Sequence, residues 1–102
     1  MTDTEYRYLV IRHLPVPARE EFRNIGVVVR TREGDIVYKL DNAYLGEHNI
    51  GCMVNELIDR TYSKNPRGGF RSTAVQLSEE RPVWHESAAS AANWLYDWMV
   101  SR

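Results

Sequence analysis

The polar residues around one proline-containing segment are the strongest candidates for binding chemistry in this sequence. They are Arg12, Arg19, Glu21 and Asn24. Arginine grips a carboxylate or a phosphate through two parallel hydrogen bonds, and an asparagine side chain holds a loop by bonding to its backbone. A second interpretation is structural, because the same groups can fix the loop by bonding to one another without any ligand. Both interpretations stay open from the sequence.

The tryptophans form a second group of candidates. Trp84, Trp94 and Trp98 all lie in the last fifth of the chain, and Trp94 and Trp98 are one helical turn apart. Aromatic anchors are enriched at protein interfaces, so this pair is predicted to dock a partner protein or a second copy of the chain. The alternative is that both rings line the core.

Catalytic and metal-binding residues are not indicated. The histidines fall on different elements without the i, i+4 spacing of a helical metal pair, so we expect surface or turn histidines and no metal or cofactor. Cys52 lies on an apolar helical stripe and is expected to be a core thiol. Glu20 and Glu21 stand beside Arg19 and Arg23, where carboxylates are usually solvated or paired.

A second basic group surrounds the segment "NPRGG". It consists of Arg60, Lys64, Arg67 and Arg71. The glycines would let a backbone approach a phosphate, but the lysine-serine ending of a phosphate-binding P-loop is missing. We therefore expect a solvated hairpin here rather than a phosphate site.

Strands are predicted to position the first group of candidates. Residues 5–14 and 22–31 are rich in Tyr, Val, Ile and Leu, and the prolines between them force a loop. Gly34 then predicts a tight hairpin to a third strand at 35–41, and residues 70–77 are interpreted as a fourth strand. Gly26, inside the second strand, indicates a bulge or a close approach by a neighbouring group.

Two helices complete the predicted fold. Apolar residues recur at helical spacing over residues 50–64, and a second helix is predicted over residues 87–101 with Ser87 as its cap. We therefore expect a single α+β domain over residues 1–102, with a four-stranded, mainly antiparallel sheet and two helices packed on one face. The strand order is left open.

The composition limits which binding partners and which cellular compartment we expect. The 102 residues carry 13 basic and 14 acidic side chains, for a net charge of -1. This balance gives no overall positive field that would attract nucleic acid or a membrane surface. Nucleic acid stays a possible but less favoured partner. The single cysteine allows no internal disulfide, no run of about 18 apolar residues is present, and the start is unlike a signal peptide. We expect a cytoplasmic protein without membrane contact.

One set of residues carries a family resemblance through its order and spacing. The set is Tyr8, Ile11, Arg12, Pro15, Pro17, Arg19, Glu21, Phe22, Asn24, Gly26, Val27 and Val28. It resembles the opening of domain-of-unknown-function family 3037 (DUF3037), a bacterial family, although Glu20 stands where the family usually has a glycine. The resemblance implies a small cytoplasmic protein without an assigned activity, whose relatives often lie beside genes for HipA-like kinases.

Two functions follow as hypotheses. The first is a non-enzymatic protein-binding module of a bacterial or phage system, whose partner is a HipA-like kinase or a toxin. The second is a binder of a small anion or nucleic acid, or a small enzyme, that uses Arg12, Arg19, Glu21 and Asn24. The first places the site on the tryptophan-bearing helix, and the second places it on the proline-containing loop.

Overall fold

A computed structural model describes residues 3–14, 22–62 and 75–100. Within these ranges the chain forms five strands and three helices. In chain order they are β1 (Thr4–His13), β2 (Arg23–Arg30), β3 (Ile36–Leu40), α1 (Asn42–His48), α2 (Gly51–Tyr62), β4 (Val75–Leu77), β5 (Arg81–His85) and α3 (Ala88–Met99). The fold is α+β, as predicted.

The strands form one open, antiparallel sheet. Its order is β3-β2-β1-β4, and β5 pairs with β1 beside β4. The long β1 strand has room for both partners, since β5 pairs with residues 4–8 and β4 with residues 11–13. The predicted hairpin between β2 and β3 is confirmed, and Gly34 supplies its positive φ of 93°.

The helices cover both faces of the sheet, which differs from the expected packing on one face. The odd-numbered residues Leu9 and Ile11 of β1 pack in a core with α1 and α2. Val10, from the opposite side of β1, packs with Leu95 and other residues of α3. Because successive strand residues point to opposite sides, a strand that is apolar on both sides needs a cover on each.

Two elements were missed by the sequence analysis. Residues 42–48 form α1, where a break was predicted, and Asp41 caps this helix by accepting from the amide of Tyr44. Residues 81–85 form β5, where a loop was predicted. Helix α3 begins after its predicted cap, with the Ser87 hydroxyl accepting from the amide of Ser90 at 3.1 Å. Residues 63–64, 70–74 and 101 of the predicted elements lie outside the described residues.

A bulge in β2 decides which side chains face α3. Ile11 is opposite Gly26, but Arg12 is opposite Asn24, so Ile25 is the extra residue. The bulge keeps Ile25 in the core under α1 and α2 and turns Asn24 toward α3. A Cβ atom at Gly26 would lie 2.5 Å from Leu40 Cδ2, so the neighbouring strand supplies the close approach that this glycine indicated.

Candidate functional site

An open apolar groove runs between β5 and α3. It has a volume of about 440 Å³. Its lining consists of Tyr8, Pro82, Val83, Trp84, His85, Trp94, Leu95, Trp98 and Met99. Val83 and Leu95 belong to the core on this face and form the floor. We call this cleft the aromatic groove.

Trp94 and Trp98 line the aromatic groove from α3. Ala91, Ala92 and Leu95 turn toward the sheet and are buried, which places the two tryptophans on the flank of the helix. Their rings are 48% and 54% exposed, and the ring centroids are 6.1 Å apart. The alternative that both rings line the core is therefore wrong.

Trp84 borders the aromatic groove differently. Its neighbour Val83 is opposite Tyr6 and packs under α3, whereas Trp84 is opposite Glu5. Strand alternation directs the Trp84 side chain away from the α3 face. His85 is on the α3 face again, with its ring centroid 6.4 Å from that of Trp94. Trp94 and Trp98 are therefore the aromatic anchors that the groove offers.

A second, polar cleft continues from the aromatic groove on the same face. It measures about 390 Å³ and shares Tyr8 and Met99 with the groove. The rest of its lining is Val10, Arg12, Ser78, Glu79 and Arg81. We call it the arginine cleft. Ser78 anchors its wall to β1, since its hydroxyl accepts from the amide of Val10 at 2.8 Å and its own amide donates to the Val10 carbonyl.

Arg12 is held in place on the floor of the arginine cleft. Its guanidinium carbon lies 4.6 Å from the centre of the Phe22 ring, a cation–π contact that orients the planar group. Its neighbours across the strands are Asn24 on β2 and Gln76 on β4. Within the part of the chain that the structure describes, the buried Nε of Arg12 has no hydrogen-bond partner.

Asn24 connects this floor to the end of α3. Its Nδ2 donates to the carbonyl oxygen of Met99 at 2.9 Å, which satisfies a backbone group at the helix terminus. Its buried Oδ1 has no partner among the described residues. Asn24 thus ties the start of β2 to the end of α3. That it holds the proline-containing loop stays a prediction, because residues 15–21 lie outside the described part of the chain.

Four of the predicted site residues, Arg12, Asn24, Trp94 and Trp98, lie on the α3 face of the sheet. Arg12 and Asn24 are cross-strand neighbours, and the clefts that hold Arg12, Trp94 and Trp98 join at Tyr8 and Met99. The sequence had assigned them to two separate sites. Arg19 and Glu21 lie outside the described residues, as do Glu20 and the Lys64, Arg67 and Arg71 side chains of the second basic group. Nothing is described of the Arg60 side chain either.

A histidine–tyrosine cluster on the other face was missed by the sequence analysis. His13, only 6% exposed, shares a 2.7 Å hydrogen bond between its Nδ1 and the hydroxyl of Tyr44. The rings of Tyr44 and His48 stack at 4.0 Å, and the guanidinium of Arg23 lies 4.6 Å from the Tyr44 ring centre. The expectation of surface or turn histidines is therefore wrong for His13, which is buried where α1 packs against β1.

Burial lowers the pKa of one member of this cluster, His13. Desolvation, and secondarily the charge of nearby His48, lowers the pKa of His13 below its ordinary value of 6.5. A neutral His13 suits the buried hydrogen bond to Tyr44. No sequence spacing signalled the cluster, because its members come from β1 and α1.

Two further expectations concern reactive groups. Cys52 is exposed on α2, so the prediction of a core thiol is wrong; Val54 and Ile58 fill the buried face instead.

Across residues 3–14, 22–62 and 75–100, no three His, Cys, Asp or Glu side chains converge as a metal site requires. In the same ranges, no helix combines the length and apolarity needed to span a bilayer.

Comparison with known families agrees with the resemblance seen in the sequence. The model of a family described as a protein of unknown function (DUF3037) matches residues 8–61, just over half of the chain. The matched segment contains Arg12, Asn24 and the histidine–tyrosine cluster, whereas Trp94 and Trp98 lie beyond it. No curated protein and no solved structure matches the chain.

Proposed function

Because the chain belongs to the DUF3037 family, whose description assigns no activity, we propose a function from the geometry of the α3 face: the protein is a non-enzymatic module that binds another protein through the aromatic groove. The observation that carries the proposal is the pair Trp94 and Trp98, both about half exposed beside an apolar floor. Tryptophan is among the residues that contribute most to protein interfaces when a partner covers it.

The shape of the aromatic groove favours a protein over a small molecule. Small-molecule sites enclose most of the ligand surface, whereas this groove is open and its tryptophans face solvent. A contiguous apolar patch with a polar rim is typical of an interaction surface. The arginine cleft supplies such a rim on one side.

The family resemblance suggests the class of partner. We propose a HipA-like kinase or a toxin of the same bacterial or phage system, met in the cytoplasm. The exposed thiol of Cys52 is compatible with a reducing compartment. Homo-oligomerisation through the same groove is the competing protein complex.

A second function class is supported by one observation. Arg12 and Arg81 both line the arginine cleft, and two guanidinium groups in one cleft favour binding of a small anion or of nucleic acid. Such binding would weaken steeply with salt and would survive loss of the tryptophans. Docking through the aromatic groove would show the reverse pattern.

The test is a binding titration, measured by calorimetry, of the purified protein with the HipA-like kinase proposed as its partner. Trp94→Ala and Trp98→Ala should each weaken the complex by about 30-fold, because an anchor truncation costs about 2 kcal/mol. Tyr38→Ala is the matched control, since Tyr38 is 49% exposed but is opposite Val28, on the other face.

The tryptophan variants must keep the wild-type circular dichroism spectrum for the result to count as docking. Equal affinity of the wild type and the Trp94→Ala/Trp98→Ala double variant would refute the proposal. Equal losses in all three aromatic variants would refute it as well, because the loss would then not be specific to the groove.

A further inference from the structure

We infer that the partner presents an extended segment in which an apolar side chain is followed, about four residues away, by an Asp or Glu whose carboxylate binds Arg12 and Arg81. This inference rests on the proposed docking function and names the chemistry of the docked segment. The two clefts would then be one binding surface, with an aromatic end and a cationic end.

Continuity of the surface is the first support. The aromatic groove and the arginine cleft adjoin at Tyr8 and Met99, which line both. A segment that lies in one cleft and crosses these two residues enters the other. The strand β1 runs beneath both, with Tyr8, Val10 and Arg12 on the α3 side.

The charges of the arginine cleft are the second support. Among the described residues, its lining contains two cationic side chains, Arg12 and Arg81, and one acidic side chain, Glu79. The surplus of one positive charge matches a single carboxylate better than a doubly charged phosphate. Arg81 is directly opposite Tyr8 across β1 and β5, which places it at the junction of the two clefts.

The fixed orientation of Arg12 is the third support. Phe22 stacks on the guanidinium at 4.6 Å, and the cross-strand neighbours Asn24 and Gln76 flank the residue. A planar, pre-oriented guanidinium loses little side-chain entropy when it forms two parallel bonds to a carboxylate.

The spacing follows from strand geometry. Tyr8 and Arg12 are four residues apart on β1, a distance of about 13 Å at about 3.3 Å per residue. An extended ligand segment has the same rise, so an apolar anchor near Tyr8 and a carboxylate near Arg12 are about four residues apart as well.

The experiment uses capped eight-residue peptides in which leucine and glutamate are separated by one, three or five serine and glycine residues. Each has a matched peptide with glutamine in place of glutamate. Binding is followed to millimolar concentration through the indole NH signals in nuclear magnetic resonance spectra. The chain has three tryptophans: Trp94 and Trp98 report on the groove, and Trp84, which also borders it but is directed away from the α3 face by strand alternation, should shift least.

The expected result is binding of the peptide with three intervening residues about five- to tenfold tighter than its glutamine match, one charge-assisted pair being worth about 1 to 1.4 kcal/mol. Arg12→Gln should remove that difference, so that the glutamate and glutamine peptides bind the variant with equal affinity. Because Arg12 is part of the sheet, the exposed Arg81 gives a second test. Arg81→Glu should reverse the preference toward a peptide with lysine at the same position.

The outcomes separate this inference from the proposed function. If leucine peptides shift Trp94 and Trp98 but glutamate and glutamine bind equally, docking stands and the carboxylate inference is overturned. If no peptide shifts these signals while a protein partner still loses affinity on Trp94→Ala, the extended segment is overturned. If neither peptide nor protein depends on the tryptophans, the docking function fails too.

Discussion

The two faces of the sheet are covered to different extents. On one face, α1 and α2 enclose a core that includes His13 and Tyr44. On the other face, α3 lies alone and leaves the aromatic groove and the arginine cleft beside it. Four strand positions span about 15 Å, and one helix is about 10 Å wide, so a single helix leaves part of the sheet uncovered. The open strip is where we propose that a partner binds.

The largest effects are expected when one core residue is truncated on each face of the sheet. Ile58→Ala on α2 and Leu95→Ala on α3 should each lower the free energy of unfolding by about 2 to 5 kcal/mol, because both side chains are buried. Urea denaturation measures both losses. Trp94→Ala is the control on α3 and should cost about 1 kcal/mol, since half of its surface already faces water. A negligible loss for Leu95→Ala would mean that α3 is not part of the folded core.

A smaller effect is expected where β2 meets β3. Gly26→Ala should lower the free energy of unfolding by about 1 kcal/mol, since the Leu40 Cδ2 methyl group, 2.5 Å from the new Cβ, would have to move aside and the Lys39 carbonyl oxygen would lie 3.1 Å away. Thermal denaturation measures the loss. Gly46→Ala in α1 is the matched control, because nothing lies within 4 Å of its Cβ, and it should stabilise. In a double-mutant cycle, Leu40→Ala should recover part of the loss; strict additivity would count against the clash.

Asn24→Ala should destabilise only the α3 face of the sheet. It removes the hydrogen bond to the Met99 carbonyl and should cost about 1 kcal/mol. Amide hydrogen exchange should show faster opening of the last turn of α3, with α2 unchanged. Uniformly faster exchange in both helices would instead mean that Asn24 supports the whole sheet.

The histidine–tyrosine cluster should make the other face sensitive to acid. The pKa of His13 is lowered in the folded chain, so the unfolded chain binds a proton more readily. Stability is therefore full above the ordinary value of 6.5 and falls as the pH drops below it toward the folded pKa. His13→Asn should flatten this decline in urea titrations between pH 7 and pH 5. An unchanged slope in that variant would assign the acid sensitivity to other groups.

Substitution of His48 tests the smaller of the two causes of the lowered pKa of His13. Its charge is the second cause of the lowered pKa of His13, after burial. His48→Asn should therefore reduce the decline below pH 6.5 without removing it. A decline as steep as that of the wild type would show that burial acts alone.

Much of the fold was predictable from local sequence signals. Alternating and continuous apolar runs predicted β1, β2 and β3, Gly34 predicted their hairpin, and Ser87 predicted the start of α3. These signals act over a few residues, where backbone preference and side-chain periodicity dominate. Helix α1 and strand β5 carry weaker local patterns, and long-range packing and pairing with β1 decide them.

The candidate site divides in the same way. The residue types of Arg12, Trp94 and Trp98 were recognisable as binding groups from the sequence. Their meeting on one face was not, because it depends on a bulge at Ile25, on α3 packing opposite α2, and on β5 pairing with β1. The burial of His13 and the exposure of Cys52 were likewise decided by packing between distant elements. Sequence alone determined which groups and local elements are present, whereas tertiary contacts decided which of those groups share a surface, because no local interaction reports on residues far apart in the chain.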